Sequence, residues 1–336
     1  MTTRRSKIVG TGFHVPERVV TNRELAALMD TSDEWIQQRT GIEERRFVSP
    51  GETPADLAQR ASERALAAAG LEPRDVDCIV LATLSPQHEF PGTSFFLQQR
   101  LGLEDTPCMD LRAQCTGFLY ALTTADSFVR AGQFRRVLVV GCEVHSTGID
   151  LSTEGRDVAV IFGDGAGAVV VEANDDPEDP AGILECRLHA QGEHAQRLWI
   201  EFPSSGHGPV RIDREALEQK RHFPRMDGRF VFKHAVTRMP EVLLATLSAA
   251  SLKLEDVDLF LFHQANLRIN EYVAQQLGIP PEKCPSNIER YGNCSAASVP
   301  MLLDEAVRGG RLARGHLVAM TTFDSGFSWS TAVVRF

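Results

Sequence analysis

The sequence predicts an α/β protein made of two similar halves, and two observations lead to this fold class. First, apolar runs of strand length alternate with amphipathic or alanine-rich stretches of helix length, which is the pattern of parallel sheets covered by helices. Second, segment 75–103 is repeated at 256–279, each reading acidic turn, apolar strand, loop, helix and Leu-Gly. We expect a duplicated unit of this kind to pair its halves about a pseudo-twofold axis.

The predicted elements around the repeat follow the same order in both halves. Alanine-rich helices precede it at 56–70 and 240–252, and helices ending in glycine follow it at 117–133 and 295–311, each with apolar residues at three-to-four spacing. Further strands are predicted at 135–144, 158–173, 316–323 and 327–336. Each half is therefore expected to carry its own sheet.

The boundary between the halves is predicted in the loop NDDPEDPAG (174–182), whose acidic residues, prolines and glycine favour an exposed connector. This divides the chain into an N-terminal half, 1–174, and a C-terminal half, 175–336. Segment 190–228 lacks clear periodicity, and we interpret it as a long insertion near the site, because a long loop without regular structure is usually functional.

Composition narrows the class of protein. The 336 residues are 43% hydrophobic, enough for one large core or two fused ones, yet no apolar run approaches the ~18 residues that span a bilayer. Seven scattered cysteines without a C-x-x-C pair indicate neither a disulfide framework nor a zinc site. A net charge of −10 disfavours binding to nucleic acid or to anionic membranes. We therefore expect a cytoplasmic protein without metal, nucleic-acid or membrane partners.

Cys115 lies in the motif AQCTGF, where a predicted strand turns into a helix. The free N–H groups and the positive end of the helix dipole at such a turn favour thiolate over thiol, which makes a cysteine nucleophilic. Backbone N–H groups at the turn can also hold a developing oxyanion. The alternative is that Cys115 is simply a small buried apolar residue.

His263 and Asn293 complete a candidate site. His263 follows the apolar run LFLF, the position where a parallel strand delivers side chains to a crevice beyond its carboxyl end. Gly132 lies 17 residues after Cys115, and Gly310 lies 17 residues after Asn293. Because these glycines are near the ends of equivalent predicted helices, the repeat overlays Asn293 on Cys115. Each residue alone also fits a structural hydrogen bond or a turn. Because three polar groups follow three predicted strands, we predict that they converge in one crevice between the halves.

The chain resembles the β-ketoacyl-acyl-carrier-protein synthase III family of thiolase-fold condensing enzymes, from its first strand to its last residue. The motifs are TSDEWIQQRTGIEERR (31–46), AQCTGF (113–118), GRDVAVIFGDGAGAVV (155–170), HQANLRI (263–269), YGNCSAASVPMLLDEAVRGGRL (291–312) and TAVVRF (331–336). The resemblance implies a thiolase-like fold in which duplicated βαβαβαββ halves form a five-layered αβαβα architecture.

The resemblance also implies a two-stage reaction with Cys115, His263 and Asn293 as catalytic residues. An acyl group passes from coenzyme A to the Cys115 sulfur and is then attacked by a carbanion, formed by decarboxylation of malonyl on acyl carrier protein. His263 and Asn293 would donate hydrogen bonds to the enolate oxygen of the malonyl thioester. No metal or redox cofactor is implied, because the departing carbon dioxide supplies the driving force and the coenzyme A thioester, which is a substrate, supplies the activation.

Binding positions carry over from the same family. Trp35 and Arg39 match positions that sandwich the adenine of coenzyme A, and Arg156 matches another nucleotide contact. Lys233 and Arg268 match positions that meet the acidic carrier protein, a surface that Arg225, Arg229 and Arg238 could extend. For each of these basic residues a solvated surface role is the alternative.

Phe90 matches a family residue that reaches into the acyl pocket of the neighbouring subunit, which implies a homodimer.

Two departures from the family pattern modify the expected activity. Where the family has three glycines between two phenylalanines, this chain has Asp324-Ser325-Gly326, with the Ser325 N–H as the oxyanion-hole candidate. Arg229 also replaces an expected asparagine, and the added length within 185–228 indicates a primer larger than acetyl.

Four other functions are alternatives to this interpretation of the sequence. A thiolase would need a second reactive cysteine near the C-terminus, and the tail FDSGFSWSTAVVRF has none. An acyltransferase, or an enzyme that joins two long-chain acyl-coenzyme A molecules, would use Cys115 with another acceptor, and Glu89 from a partner chain could then act as a base. An inactive subunit of a heterodimer usually loses a member of the triad, whereas this chain keeps all three.

Overall fold

Two large β-sheets and three layers of helices make up most of the fold, described here from a computed structural model for residues 5–206 and 208–336. The strands are β1 (Arg5–His14), β2 (Val19–Thr21), β3 (Glu44–Arg46), β4 (Cys78–Ala82), β5 (Cys108–Leu111), β6 (Arg136–Glu143), β7 (Gly165–Asn174), β8 (Gly182–Ala190), β9 (Leu198–Trp199), β10 (Arg225–Met226), β11 (Leu259–Phe262), β12 (Leu317–Asp324) and β13 (Ser328–Arg335).

The α-helices and 3₁₀ turns connect these strands. The α-helices are α1 (Asn22–Ala26), α2 (Asp33–Thr40), α3 (Pro54–Ala69), α4 (Thr93–Arg100), α5 (Gly117–Arg130), α6 (Arg156–Ala159), α7 (Arg214–Glu218), α8 (Gly228–Ala249), α9 (Leu267–Leu277), α10 (Ile288–Tyr291) and α11 (Ser298–Arg308). The 3₁₀ turns are Pro73–Asp75, Gln114–Thr116, Gly192–Arg197, Leu254–Asp256, Pro281–Lys283 and Ser295–Ala297.

The two large sheets share one topology. The first has the order β1-β7-β6-β4-β5 and the second the order β11-β12-β13-β8. In the first sheet β4 is parallel to β5 and β6, and β7 is antiparallel to both β6 and β1. In the second, β11 is parallel to β12, and β13 is antiparallel to both β12 and β8. Strands β4, β6, β7 and β1 thus correspond to β11, β12, β13 and β8.

The second sheet has one strand fewer than the first within the described part of the chain. Strand β5 follows α4 in the N-terminal half, whereas α9 is followed by a 3₁₀ turn and the short α10. The connecting segment contains Pro280, Pro281 and Pro285, and proline has no N–H to donate to a strand ladder. The two copies therefore differ at the sheet edge while their inner strands match.

The hydrophobic core forms five layers. Helices α3 and α4 cover the outer face of the first sheet, where Leu57 and Leu97 pack in a buried cluster. Helices α5 and α11 lie between the sheets, and Phe118 and Leu303 join a second cluster with residues of both sheets. Helices α8 and α9 cover the outer face of the second sheet. This order of layers is the predicted αβαβα architecture.

The structure shifts two predicted boundaries. Strand β7 begins at Gly165 rather than 158, because residues 156–159 form α6. Helix α8 begins at Gly228, where the Asp227 carboxylate accepts a hydrogen bond from the Phe230 N–H and caps the helix. The predicted helical stretch began at Pro240, but Pro240 lies within α8.

All seven cysteines of the chain lie in the described ranges and are free thiols. No helix in residues 5–206 and 208–336 has the length and apolar character needed to cross a membrane. In the same ranges, no group of three or more histidine, cysteine, aspartate or glutamate side chains is arranged to hold a metal ion.

The backbone of Ala296 lies so close to Gly141 that no side chain fits at position 141. A Cβ added at Gly141, in β6, would lie 2.2 Å from the carbonyl oxygen of Ala296, in the turn before α11. We expect Gly141→Ala to lower the free energy of unfolding by about 1–3 kcal/mol through overpacking, measured by chemical denaturation. Gly192→Ala is the matched control, because nothing lies within 4 Å of its added Cβ. Equal stability of the two variants would contradict the prediction.

Candidate active site

A cavity of about 1380 Å³ is lined by residues from both halves of the chain. Cys115, His263 and Asn293 all lie on its wall. The structure therefore brings the three predicted polar groups to one cavity, although they are far apart in the sequence.

Cys115 lies in the 3₁₀ turn between β5 and α5 and is 7% exposed. The turn is held in place by Thr116, whose hydroxyl donates to the Ala113 carbonyl at 2.6 Å and lies 2.9 Å from the Ser328 hydroxyl. Burial and the nearby Asp324 carboxylate raise the pKa of the Cys115 thiol well above its usual value, against a lowering contribution from Ser295. Burial and Asp324 therefore outweigh the stabilisation of the thiolate that we expected from the turn.

The overlay of Cys115 on Asn293 is wrong by three residues. Gln114 and Ser295, with φ angles of 40° and 41°, each begin a 3₁₀ turn that leads into a long helix. This pairing aligns Cys115 with Ala296. The overlay was counted from the helix ends and assumed that the two helices have the same length. However, α5 has 14 residues and α11 has 11. Asn293 thus reaches the cavity from just before the equivalent turn.

His263 directly follows β11 and is held at three atoms. Its N–H donates to the Thr321 carbonyl at 2.9 Å, which extends the ladder with β12, and its carbonyl accepts from the Asn270 side chain at 3.1 Å. Its Nδ1 lies 2.5 Å from the Ser298 hydroxyl. Burial, and secondarily His145, lower the pKa of His263 to about 3. The imidazole is therefore neutral at physiological pH.

One tautomer of His263 gives the cavity a hydrogen-bond donor. The Ser298 oxygen accepts a hydrogen bond from the Gln264 N–H at 3.3 Å, so its own proton is available to donate to Nδ1 of His263. In the tautomer that accepts this proton, the proton of the neutral ring lies on Nε2, which is buried and has no hydrogen-bond partner among the described residues. An unpaired N–H donor on the cavity wall is suited to bind a substrate oxygen.

Asn293 is fixed by its backbone and by one side of its amide. Its N–H donates to the Ile161 carbonyl at 2.8 Å, and its carbonyl accepts from the Gly163 N–H at 3.1 Å. Its Oδ1 accepts from the Ser295 N–H at 2.8 Å. The amide NH₂ remains as the group that can donate to a ligand, which gives the cavity a second N–H donor beside His263.

The two backbone donors proposed for an oxyanion hole both contact one side chain. The N–H of Ser325 donates to Oδ1 of Asp324, and the N–H of Cys115 donates to Oδ2. Asp324 is 4% exposed, and burial raises its pKa to about 7 even though these hydrogen bonds lower it. The sequence identified Asp324 as a departure from the family but did not predict where its carboxyl would lie.

Trp35, Arg39 and Arg156 come together at an exposed edge of the cavity. The guanidinium carbon of Arg39 lies 4.4 Å from the centroid of the Trp35 ring, and that of Arg156 lies 5.4 Å from it. Trp35 and Arg39 line the cavity. The aromatic ring and two cations form a surface that suits an anionic ligand with a flat ring system.

The other predicted positions lie outside the triad. Lys233 is exposed on α8, and Phe90 is 83% exposed on the loop before α4. Arg268, at the start of α9, donates to the carbonyls of Gln37 and Gln38, both at 3.0 Å, and thereby links α9 to α2. These hydrogen bonds give Arg268 a role in holding α9 against α2.

Sequence reasoning missed a second buried histidine in the site. His145 lines the cavity directly beyond β6, its Nε2 lies 2.9 Å from the Ser295 hydroxyl, and its ring packs 4.4 Å from the Phe162 ring. Burial lowers the pKa of His145 to about 3. A histidine just after an apolar run is the signal that identified His263, and the same rule applied to VLVVGCEV would have found His145.

Segment 190–228 forms part of the cavity wall. Leu198, Trp199, Phe202 and Met226 line the cavity with apolar surface. Strands β9 and β10 pair in antiparallel fashion within this segment, so it has regular structure that its sequence did not reveal.

Two protein-family models match the chain. The model described as 3-oxoacyl-[acyl-carrier-protein] synthase III matches residues 109–192, and the model of its C-terminal part matches residues 247–336. The two matches include Cys115 in the first case and both His263 and Asn293 in the second.

Relatives of known name match over nearly the whole chain. A beta-ketoacyl-[acyl-carrier-protein] synthase III of Methylococcus capsulatus is 42% identical over 333 residues, covering 99% of each chain. The crystal structure of 3-oxoacyl-[acyl-carrier-protein] synthase III from Aquifex aeolicus is 41% identical with a TM-score of 0.90, covering 98% of this chain and 100% of that one. A priming β-ketosynthase of a polyketide pathway is 35% identical with a TM-score of 0.89, covering 99% and 97%.

Proposed function

The chain belongs to the 3-oxoacyl-[acyl-carrier-protein] synthase III family of condensing enzymes, and we propose that it joins an acyl-coenzyme A primer to malonyl-acyl carrier protein with loss of carbon dioxide. The product is a 3-oxoacyl-acyl carrier protein, formed at the start of fatty acid biosynthesis or a related pathway. The observation that carries the proposal is the placement of Cys115, the unpaired Nε2 of His263 and the Asn293 amide on one cavity wall.

The first stage loads the primer. The Cys115 sulfur attacks the thioester carbon, the bond to the coenzyme A sulfur breaks, and the thiol proton leaves with coenzyme A. Negative charge develops on the carbonyl oxygen of the tetrahedral intermediate, so the stage requires hydrogen-bond donors at that oxygen. Trp35, Arg39 and Arg156 would hold the nucleotide end of the substrate.

The second stage forms the new carbon–carbon bond. Malonyl carrier protein loses carbon dioxide, the electron pair forms an enolate, and its carbon attacks the acyl group on Cys115. His263 Nε2 and the Asn293 NH₂ are the donors for the enolate oxygen. The Cys115 thiolate is the leaving group and takes up a proton to complete the cycle.

The primer is proposed to be larger than acetyl. Apolar side chains from segment 190–228 and from α8, among them Trp199, Phe202, Phe232 and Met239, line the cavity together with Cys115. Apolar surface of this extent stabilises a bound alkyl or aromatic chain by roughly 0.8 kcal/mol for each CH₂ that it buries. The wall thus favours an acyl chain of medium length or greater bulk.

Protein partners and location are proposed from surface features. Phe90, 83% exposed, and Phe95, 51% exposed, present apolar surface suited to a homodimer contact. Lys233, Arg225 and Arg229 are exposed around the start of α8, and would give a chain of net negative charge a local basic surface for an acidic carrier protein. We place the enzyme in the cytoplasm.

The experiment that tests the function compares acceptors. The protein is incubated with a panel of acyl-coenzyme A primers, and either malonyl-acyl carrier protein or a second acyl-coenzyme A is added. We expect a 3-oxoacyl product and carbon dioxide release with malonyl-acyl carrier protein alone. Product from two acyl-coenzyme A molecules, or transfer to an alcohol or amine, would instead identify a different acceptor. Absence of any acyl adduct on Cys115 with every primer would favour an inactive subunit.

Replacing Trp35 tests the proposed nucleotide contact. We expect Trp35→Ala to raise the KM for acyl-coenzyme A between about fivefold and 150-fold, the range that corresponds to roughly 1–3 kcal/mol of stacking between a base and an aromatic ring. The KM for the matching acyl-pantetheine should not change, because that substrate lacks adenine. Trp35→Phe, which keeps an aromatic face, is the matched control and should show a smaller effect. Equal KM changes for both substrates would argue against adenine binding at Trp35.

A further inference from the structure

The carboxyl group of Asp324 lies between two backbone donors of the active site. Asp324 is the last residue of β12 and is fixed there by antiparallel pairing with Ser328. One of its oxygens accepts from the Cys115 N–H and the other from the Ser325 N–H. It is 4% exposed and lines the same cavity as Cys115.

These two N–H groups are the candidate donors for the oxyanion that forms during acyl transfer. The tetrahedral intermediate on Cys115 carries a negative oxygen, which needs donors at about 2.7–3.1 Å in order to be stabilised. A carboxylate oxygen has the same kind of charge and the same hydrogen-bonding capacity as that oxyanion. The two N–H groups cannot donate strong hydrogen bonds to both acceptors at once. The Asp324 carboxylate and the thioester oxygen therefore compete for the same hydrogen bonds.

We propose that Asp324 is an internal occupant of the oxyanion hole, which the acyl donor must displace before Cys115 can be loaded. Asp324 is thus a positioning residue that restrains the first stage, because it keeps the Cys115 and Ser325 N–H groups engaged in the unloaded enzyme. This inference rests on the proposed function only in that Cys115 accepts an acyl group. Removal of the carboxyl should free both donors and accelerate acylation.

The test compares two reactions of the same sulfur at one pH. Iodoacetamide alkylates the thiolate without forming an oxyanion, whereas p-nitrophenyl acetate transfers its acetyl group through a tetrahedral oxyanion. In the second reaction the sulfur–carbon bond forms, the bond to p-nitrophenolate breaks, and the thiol proton goes to solvent. Both rates are measured for the wild-type chain, Asp324→Ala and Asp324→Asn, with Cys115→Ala as the background.

We expect Asp324→Ala to increase acylation about tenfold or more beyond any increase in alkylation, since one oxyanion-hole donor is worth roughly 10²–10³ in rate. Asp324→Asn keeps the shape of the side chain and protects the test if the alanine variant folds poorly. Its amide oxygen can accept from only one of the two N–H groups, so a smaller increase in the same direction is expected.

Two results would overturn the proposal. Equal gains in alkylation and acylation would mean that Asp324 acts only on the charge of the sulfur, and a fall in acylation would mean that it assists the reaction, for example as a base. Neither result depends on coenzyme A or carrier protein. A chain that is acylated by the ester but by no acyl-coenzyme A would contradict the proposed function and leave this inference standing.

Discussion

Cys115→Ala is expected to abolish acyl loading, because no other atom at this position can form the covalent intermediate. Incubation with an acyl-coenzyme A that labels the wild-type chain should add no acyl mass to the variant in intact-protein mass spectrometry. Condensation with malonyl-acyl carrier protein should fall to the background rate, since the second stage has no acyl enzyme to attack. The effect is the largest expected for any single substitution in this chain.

Cys294→Ala is the matched control for this experiment. Cys294 is fully buried one residue after Asn293 and packs against Tyr291, Ala297 and Met301. It therefore behaves as a small apolar residue, and its replacement should leave acyl loading on Cys115 intact. Acyl adducts that persist in Cys115→Ala and map to another cysteine would show that the wrong nucleophile has been assigned.

The inner strands and the position of His263 were predictable because each depends on local sequence. Strands β4, β11 and β12 are buried on both faces and read as short apolar runs bounded by turns. A polar residue that follows such a run must lie at the carboxyl edge of the sheet. The prediction of His263 as a site residue needed no knowledge of tertiary contacts.

Features that depend on helix length or capping were not predictable in the same way. The overlay of Cys115 on Asn293 failed because the two equivalent helices differ in length by about one turn. This difference cannot be seen when both residues lie at the same distance from a glycine near the end of the helix. The start of α8 was misplaced because its cap, Asp227, lies in segment 190–228, which we interpreted as an insertion without clear periodicity. Both errors arose because a helix boundary was placed from the sequence of one segment, without a comparison with the equivalent helix in the other half of the chain.

The contacts of Asp324 and His145 lie beyond sequence reasoning for another reason. The resemblance to the family implies a glycine at position 324, but the hydrogen bond from the Cys115 N–H to the Asp324 carboxyl spans 209 positions of the chain. The contact of His145 with Ser295 spans 150 positions. Such contacts are set by how the two halves pack together, and the direction of each side chain depends on that packing.

Asn293→Ala is expected to separate the two stages of the reaction. Loading of Cys115 should proceed at close to the wild-type rate, because we propose that the charge of that stage develops at the Cys115 and Ser325 N–H groups and not at the Asn293 amide. Condensation should slow by about 10²–10³, the usual cost of removing one donor from a developing oxyanion or enolate. Loading is followed by mass spectrometry, and condensation by product formation from the preloaded enzyme and malonyl-acyl carrier protein.

Asn293→Asp shows whether the lost group is the NH₂ donor or the packing of the side chain. Aspartate has nearly the same volume and can still accept the hydrogen bond from the Ser295 N–H that fixes Oδ1 of Asn293, but its carboxylate cannot donate to the enolate. Condensation should therefore be slowed at least as much as in Asn293→Ala, with loading again retained. Near-normal condensation in the aspartate variant, or equal loss of both stages in the alanine variant, would contradict this division of roles between Cys115 and Asn293.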